Sequence, residues 1–265
     1  MLKVIRTTLY MLSFIVALTF TMTSLSCQEK SQPNETKVPV TLEKNMGDVL
    51  LQIERLQALQ DCRNLMGMYS YYHSASRHID YVDLWAKRDD DCLEMPWGIY
   101  DGYEGVRRCY LQDHSDRTDP GVAESMKGGM FVHEMDTEVL VVADDGKTAR
   151  GCWITPGHET FVGSDGAVAT WSWGKYAADF IKEDGVWKIW HMRLYPLFLA
   201  PYDKPWTEVS VRGDILDNMR SADRPPSANH WSYSTTAIYP ADQPEPPKPY
   251  KTFDDVGLTF IDPKK

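Results

Sequence analysis

Three Asp-Gly-type turn signals divide the middle of the chain into four apolar, strand-like runs, residues 131–142, 148–155, 167–182 and 186–195. The signals are Asp144-Asp145-Gly146, Gly163-Ser164-Asp165-Gly166 and Glu183-Asp184-Gly185. Glycine supplies the positive φ that a tight hairpin needs, so Asp-Gly between apolar runs marks consecutive antiparallel strands. An antiparallel meander is therefore expected here.

Upstream the period changes. Leu56, Leu59, Cys62, Met66, Tyr69 and His73 recur at steps of three and four, one face of a helix over residues 49–76. A shorter helix is expected over 79–87, a first strand over 92–97, a turn-rich connection over 98–105, a helix over 106–113 and a polar loop over 114–129. Helices first and a meander afterwards give an α+β fold instead of an alternating α/β one. Beyond Trp206 the pattern lapses, and eight of the sixteen prolines lie between Pro225 and Pro263. Proline cannot donate to a sheet ladder, so this extension is not a strand-rich domain. It is expected to wrap the domain surface through Trp231, Tyr233, Tyr239 and Phe253, or else to stay disordered.

The N-terminus reads as an export signal. Lys3 and Arg6 precede an uncharged apolar run, 7–20, then small residues and Cys27. The run is shorter than the roughly 20 residues that a bilayer-spanning helix needs. Ser24-Leu25-Ser26-Cys27 resembles a bacterial lipobox, although a lipobox places its Leu one residue earlier. That resemblance implies acylation of Cys27 and a lipid anchor in the cell envelope, facing the periplasm or the surface. An ordinary signal cut nearby would instead leave a stray thiol. The chain thus divides into a signal (1–26), a polar tether (27–48), a folded domain (49–205) and a Pro-rich C-terminal extension (206–265).

A net charge of −10 weighs against nucleic acid and against a polybasic hold on anionic lipid. Cys62, Cys92, Cys109 and Cys152 remain beyond Cys27. They could pair in an oxidising compartment with three possible connectivities, or serve as small buried apolar residues. Their spacing matches no common zinc motif, so no metal is assigned.

Met68-Tyr69, Leu84-Trp85-Ala86, Glu94-Met95-Pro96-Trp97-Gly98, Tyr100-Asp101-Gly102-Tyr103-Glu104-Gly105-Val106, His133 and Asp184-Gly185-Val186-Trp187-Lys188-Ile189 follow one another in an order and spacing that together resemble the SnoaL-like branch of the nuclear transport factor 2-like superfamily. The resemblance implies a cone-shaped barrel, a curved antiparallel or mixed sheet closed by the N-terminal helices around a pocket for a small organic molecule. It implies no single activity, because the superfamily includes cyclases, dehydratases, isomerases and lyases beside non-catalytic carriers. It implies chemistry without a cofactor. His133 falls where dehydratase members place a catalytic histidine, and Tyr69 matches their helix tyrosine. The acid common five residues beyond that tyrosine is Ser74 here, so the usual Asp–His pairing cannot form in its familiar way.

Alternation then assigns faces to the strands. Trp187, Ile189, His191, Arg193 and Tyr195 share one side of the last strand. With Trp187 and Ile189 matching the family's buried pair, His191 and Arg193 are expected to project into the cavity. Tyr176, Ala178 and Phe180 face inward on the preceding strand, and Trp171, Trp173 and Lys175 face outward, unless a β-bulge swaps the assignment. The outward face is expected to meet the extension or a second copy of the chain. Tyr69, His133 and His191 are the expected acid–base groups. Tyr72, His73, Trp97, Trp153, Tyr176 and Arg193 are the expected substrate-binding residues, while His114 and His158 are read as loop residues.

This set suits elimination, isomerisation or retro-aldol cleavage of a small aromatic or polycyclic molecule. The missing acid at Ser74 and the anchor at Cys27 equally suit a non-catalytic ligand-binding lipoprotein or an accessory subunit of another enzyme.

Overall fold

The computed structural model describes residues 40–114, 119–208, 220–227, 233–239, 241 and 243–255. The proposed signal, Cys27 and Trp231 lie outside the described residues. The chain opens with α1 (Val40–Ser74), α2 (His78–Val82), β1 (Cys92–Met95) and β2 (Gly98–Asp101). Then come α3 (Gly102–Leu111), α4 (Pro120–Ser125), β3 (Met130–His133) and β4 (Asp136–Val142). Three long strands follow: β5 (Thr148–Gly163), β6 (Gly166–Glu183) and β7 (Val186–Pro201).

The order across the sheet is β2-β1-β7-β6-β5-β3, with β4 also on β5. The β1–β7 pairing is parallel and every other pairing is antiparallel, so the sheet is mixed. The hairpins turn where Asp-Gly was expected to place them, with Gly146, Gly166 and Gly185 all at positive φ. This is the anticipated α+β architecture. It is curved but not closed: β2 and β3 are its edges, and α1 lies across the concave face instead of a sealing strand.

Several boundaries differ from those expected. α1 begins nine residues earlier, at Val40, and its Leu56 is 66% exposed. Its packed stripe is Ala58, Cys62, Met66 and Tyr69, which shares a core with Trp153, Tyr176, Ala178, Phe180 and Ile189 of the sheet. The second helix ends at Val82, because Leu84 and Ala86 hydrogen-bond Ile189 of β7 through their backbones. The expected turn over 98–105 contains strand β2, paired with β1, and the loop over 114–129 contains α4, capped by the Asp119 carboxylate. The single run 131–142 is two strands, β3 and β4, lying end to end along β5. The four cysteines are free and buried.

Two register shifts between β6 and β7 decide which side chains face inward. Asp179 pairs with His191, yet Phe180 pairs with Ile189, which leaves Trp190 as an extra residue in β7. A bulge of this kind reverses the alternation beyond it. Trp187 and Ile189 face the core before it; Met192 and Leu194 face the core after it. A second shift, at Trp173/Gly174, makes Leu197 the extra residue.

His191 and Arg193 consequently lie on the outer face, in a layer of charge. His191 Nδ1 and Arg150 Nε stand 3.0 and 3.5 Å from the Asp179 carboxylate, and His191 Nε2 is 3.0 Å from the Asp90 carbonyl oxygen. Arg193 stands 3.4 Å from Glu94, whose oxygens also accept from Ser227 N and Oγ at 2.8 and 2.9 Å. Charges this deep are tolerated only when paired and hydrogen-bonded.

The C-terminal extension completes their burial. The rings of Tyr250 and Phe253 each lie 5.0 Å from the Arg150 guanidinium, and the Tyr250 hydroxyl meets Thr148 Oγ1 at 3.0 Å. Lys175 donates to the carbonyls of Ala241 and Gln243 at 2.7 and 2.8 Å. Tyr239 and Tyr233 also reach this layer, through the Lys175 ammonium and the Leu197 carbonyl. The outer face that the sequence offered to the extension or to a second copy is thus occupied in part by the chain's own tail, whereas Trp173, expected on that face, is among the residues lining the cavity.

Because Tyr250 is 5% exposed, Tyr250→Ala is expected to destabilise the domain by about 3–5 kcal/mol, the usual range for emptying a buried aromatic site. Denaturant unfolding checks this; a loss under about 1 kcal/mol would show that the tail is no part of the core.

Candidate active site

A cavity of about 320 Å³ opens between the C-terminal end of α1, α2, the β1–β2 turn and the concave face of the sheet. That volume lies in the range of small-ligand pockets. Its walls are aromatic and apolar, with Phe131 and Phe161 packed edge to face and Trp173 and Phe198 stacked at an interplanar angle of 13°. Trp97 and Met95 close the side nearest β1.

Several polar groups also line the cavity. His133 closes β3, where Ser70 of α1 donates to its carbonyl oxygen. It pairs with Gly157 of β5, and a β-carbon at that glycine would come within 2.7 Å of His133 Nδ1. Glycine therefore makes the room that the imidazole occupies. Two residues along the same face, Glu159 Oε1 sits 2.8 Å from His133 Nε2. A carboxylate only accepts, so Nε2–H donates to Glu159, and in the neutral form of the ring the lone pair then sits on Nδ1. The acid absent at Ser74 has a replacement on a neighbouring strand.

Tyr176 lines the cavity from β6. Behind it the fully buried Tyr69 donates its hydroxyl to the Tyr176 oxygen at 2.9 Å, which leaves the Tyr176 proton for another acceptor. Burial raises both phenols well above their ordinary value, so both remain donors at neutral pH.

Three further histidines cluster beside the pair, His73 nearest to it. The His73 ring lies 5.2 Å from His133, 6.1 Å from His78 and 6.3 Å from His114. Burial, reinforced by the neighbouring imidazoles, holds His73 well below the usual histidine range, and burial also lowers His114. His73 Nδ1 is buried with no hydrogen-bond partner among the described residues. Among the described residues, no group of three or more His, Cys, Asp or Glu side chains is arranged to hold a metal ion.

Of the residues singled out in the sequence, His73, Trp97, His133 and Tyr176 meet in the cavity, with Tyr69 one hydroxyl behind. Four others do not line it. Trp153 belongs to the core beneath and donates to Glu138 at 3.3 Å. Tyr72 lies under the Arg77 guanidinium, 4.9 Å from its ring. His191 and Arg193 are turned away by the Trp190 bulge, which corrects their expected convergence on the cavity.

Glu159, His78, His114, Asp113 and Arg220 line the cavity without having been expected there. Glu159 was hidden because Pro156-Gly157 reads as a strand break. In the fold Pro156 falls between the β4 pairing, which ends at Ile154, and the β3 pairing, which starts at Gly157. Read through that gap, Thr155, Gly157, Glu159 and Phe161 share one parity.

The SnoaL-like domain family matches residues 54–193, more than half of the chain, and the protein belongs to that family. No curated protein matches it. Solved structures with a similar course of the chain include the hexachlorocyclohexane dehydrochlorinase LinA-type3 from Novosphingobium barchaimii LL02. It is 16% identical, with 58% of this chain and 96% of that one covered and a TM-score of 0.44. Another is an NTF2-like protein with a cystatin-like fold from Novosphingobium aromaticivorans, 12% identical, with 64% and 94% covered and a TM-score of 0.39. No helix among the described residues is long and apolar enough to cross a membrane.

The lowered histidines make a pH prediction. A group whose folded value is depressed binds its proton more readily when unfolded, so stability is present above about pH 6.5 and is lost as the pH falls toward the folded value. Asp91, pushed up to about 8 by burial, acts with the opposite sign, so the comparison must be made between variants. His73→Gln is expected to flatten the fall in melting temperature between pH 7 and pH 5 relative to the parent protein. Parallel melting curves across that interval would count against a buried, uncharged His73.

Proposed function

We propose that this protein is a cofactor-independent lyase of the dehydratase, elimination or retro-aldol type, or an isomerase, acting on a small aromatic or polycyclic molecule held in the cavity. The observation that carries the reading is the His133–Glu159 pair, 2.8 Å apart, in the lining of an aromatic-walled cavity. Glu159 orients the ring, and His133 Nδ1 removes a proton from carbon beside a carbonyl. Tyr176, supported by the Tyr69 hydroxyl, donates to the oxygen on which negative charge develops. His73, kept uncharged, adds a polar contact without repelling a protonated His133. The enolate then expels a leaving group, which takes up the proton from His133, or is reprotonated elsewhere, the two branches separating an eliminating lyase from an isomerase; in a retro-aldol cleavage His133 takes the β-hydroxyl proton instead, and the C–C bond breaks to give the same enolate.

The proton-abstraction step is testable without the natural substrate. The bicyclic ketone 2-tetralone, incubated with the protein in D₂O, is expected to exchange its α-hydrogens faster than in buffer, as read by NMR. His133→Ala is expected to lower that exchange by about 10²–10⁴-fold, and Glu159→Gln to lower it in the same direction. Binding of the ketone with no exchange above buffer would favour the second reading, a ligand-binding lipoprotein without catalysis.

Export and anchoring belong to the proposal as well, on the strength of the apolar run 7–20 and Cys27. In a bacterial host, radiolabelled palmitate is expected to enter the full-length chain and to be lost in Cys27→Ser; label retained in that variant would end the lipid-anchor reading.

A further inference from the structure

α1 carries two apolar stripes, and the sheet takes up only one of them. The packed stripe runs through Ala58, Cys62, Met66 and Tyr69. Val49 and Ile53 stand nine residues ahead of Ala58 and Cys62, about two and a half turns of helix, so they lie on the opposite side. Met46, Leu50 and Leu56 extend that second side at steps of three and four, and all five residues are more than half exposed. The stripe ends where Gln57 donates to Asp61 and Gln60 to Asn64, both at 2.9 Å along the exposed surface.

This end of the helix has little else to hold it. Every residue from 44 to 54 is exposed, and the domain first takes hold at Arg55, which donates to the Val142 carbonyl oxygen and pairs with Asp144, both at 3.2 Å. A helical segment of about a dozen residues without tertiary packing is marginal in water. Soluble monomers also seldom leave contiguous apolar side chains uncovered. A bilayer suits the stripe poorly, because a helix lying in a membrane interface is rich in lysine and arginine on its polar face. Residues 44–57 hold only Lys44 and Arg55 against Asp48 and Glu54, and Arg55 is engaged with the domain. The residues just upstream, 28–39, suit it no better as a cover, since prolines apart Val38 is their one apolar residue.

We propose that a second copy of this chain covers the stripe, the α1 helices of two molecules pairing along Met46, Val49, Ile53 and Leu56 as a short two-stranded coiled coil. In heptad terms Met46 and Ile53 take the a positions, and Val49 and Leu56 the d positions. A stripe of this spacing is self-complementary, each side chain entering a hole between four of its counterparts. A β-branched residue at a followed by leucine at d, as in Ile53 and Leu56, favours two strands. Asn45, Leu50, Gln52 and Gln57 flank the seam, so the helices meet without like charges face to face. His73, which lines the cavity, lies about 30 Å of helix beyond Ile53, so the pairing is independent of the reaction proposed above.

Cross-linking of the full-length chain in a bacterial host tests the inference. Two differently tagged copies carrying Val49→Cys are expected to be joined by a short bismaleimide into a product of twice the chain's mass that bears both tags. The parent chain, whose Cys62, Cys92, Cys109 and Cys152 are buried, and Asp48→Cys, exposed on another side of the helix, are expected to give none above background. Ile53→Glu added to Val49→Cys is expected to abolish the product while the near-ultraviolet circular dichroism of the purified chain stays unchanged, which separates a lost seam from a lost fold. Absence of the product, an equal yield from Asp48→Cys, or its survival in Ile53→Glu overturns the pairing. A product of another mass bearing one tag overturns it in favour of a different protein. No product, with Ile53→Glu releasing Cys27→Ser chain from the membrane fraction, overturns it in favour of the bilayer.

Discussion

One extra residue in β7 organises the molecule. Trp190 has no partner of its own on β6, and the reversal it imposes lets a single strand serve two environments. Met192 and Leu194 point into the concave face, while His191 and Arg193 point out. In unbroken alternation the imidazole and the guanidinium would sit among Trp187, Ile189 and Phe180, where an unpaired charge is heavily penalised. The bulge instead places them beside Asp179 and Glu94. Those pairs would be half-wet on a bare sheet, and the Pro-rich segment ending in Tyr250 and Phe253 makes them a buried layer. Bulge, charge layer and tail form one arrangement.

The cavity depends on the same division. With the charges of β7 directed outward, its polar groups come from α1, α2, β3, β5 and β6 and from Asp113, His114 and Arg220 outside those elements. Burial then acts on each polar group according to its charge. It keeps the phenols of Tyr69 and Tyr176 protonated and His73 uncharged, while the carboxylate of Glu159 is matched by an imidazole N–H. The result is phenols, imidazoles and one carboxylate around a single aromatic-walled space.

Most of the elements were legible in the chain, for local reasons. Asp-Gly pairs define hairpins through φ alone, and the 3.6-residue stripe of α1 needs no partner to be seen. Boundaries were less legible. Thr148–Gly163 runs eight residues past the expected end because Pro156 occupies a position where pairing changes hands between β4 and β3. β2 was hidden because a four-residue strand carries almost no periodicity, and α2 was cut short because β7 takes over the backbone bonds of Leu84 and Ala86. In the site, His73, Trp97, His133 and Tyr176 followed from resemblance and parity. Glu159, His78, His114 and Arg220 did not, since nothing in their neighbouring residues distinguishes a cavity lining from a polar loop.

The sequence by itself determined the α+β order, the hairpin turns and the packed face of the long helix, because these depend on dihedral preference and short-range period, while its motifs carried the resemblance to the SnoaL-like family. Tertiary structure decided which carboxylate meets His133, which way His191 and Arg193 point, and what covers the outer face. Each of those outcomes turns on the register between strands distant in the chain, and a one-residue shift there exchanges inside for outside without altering any local propensity.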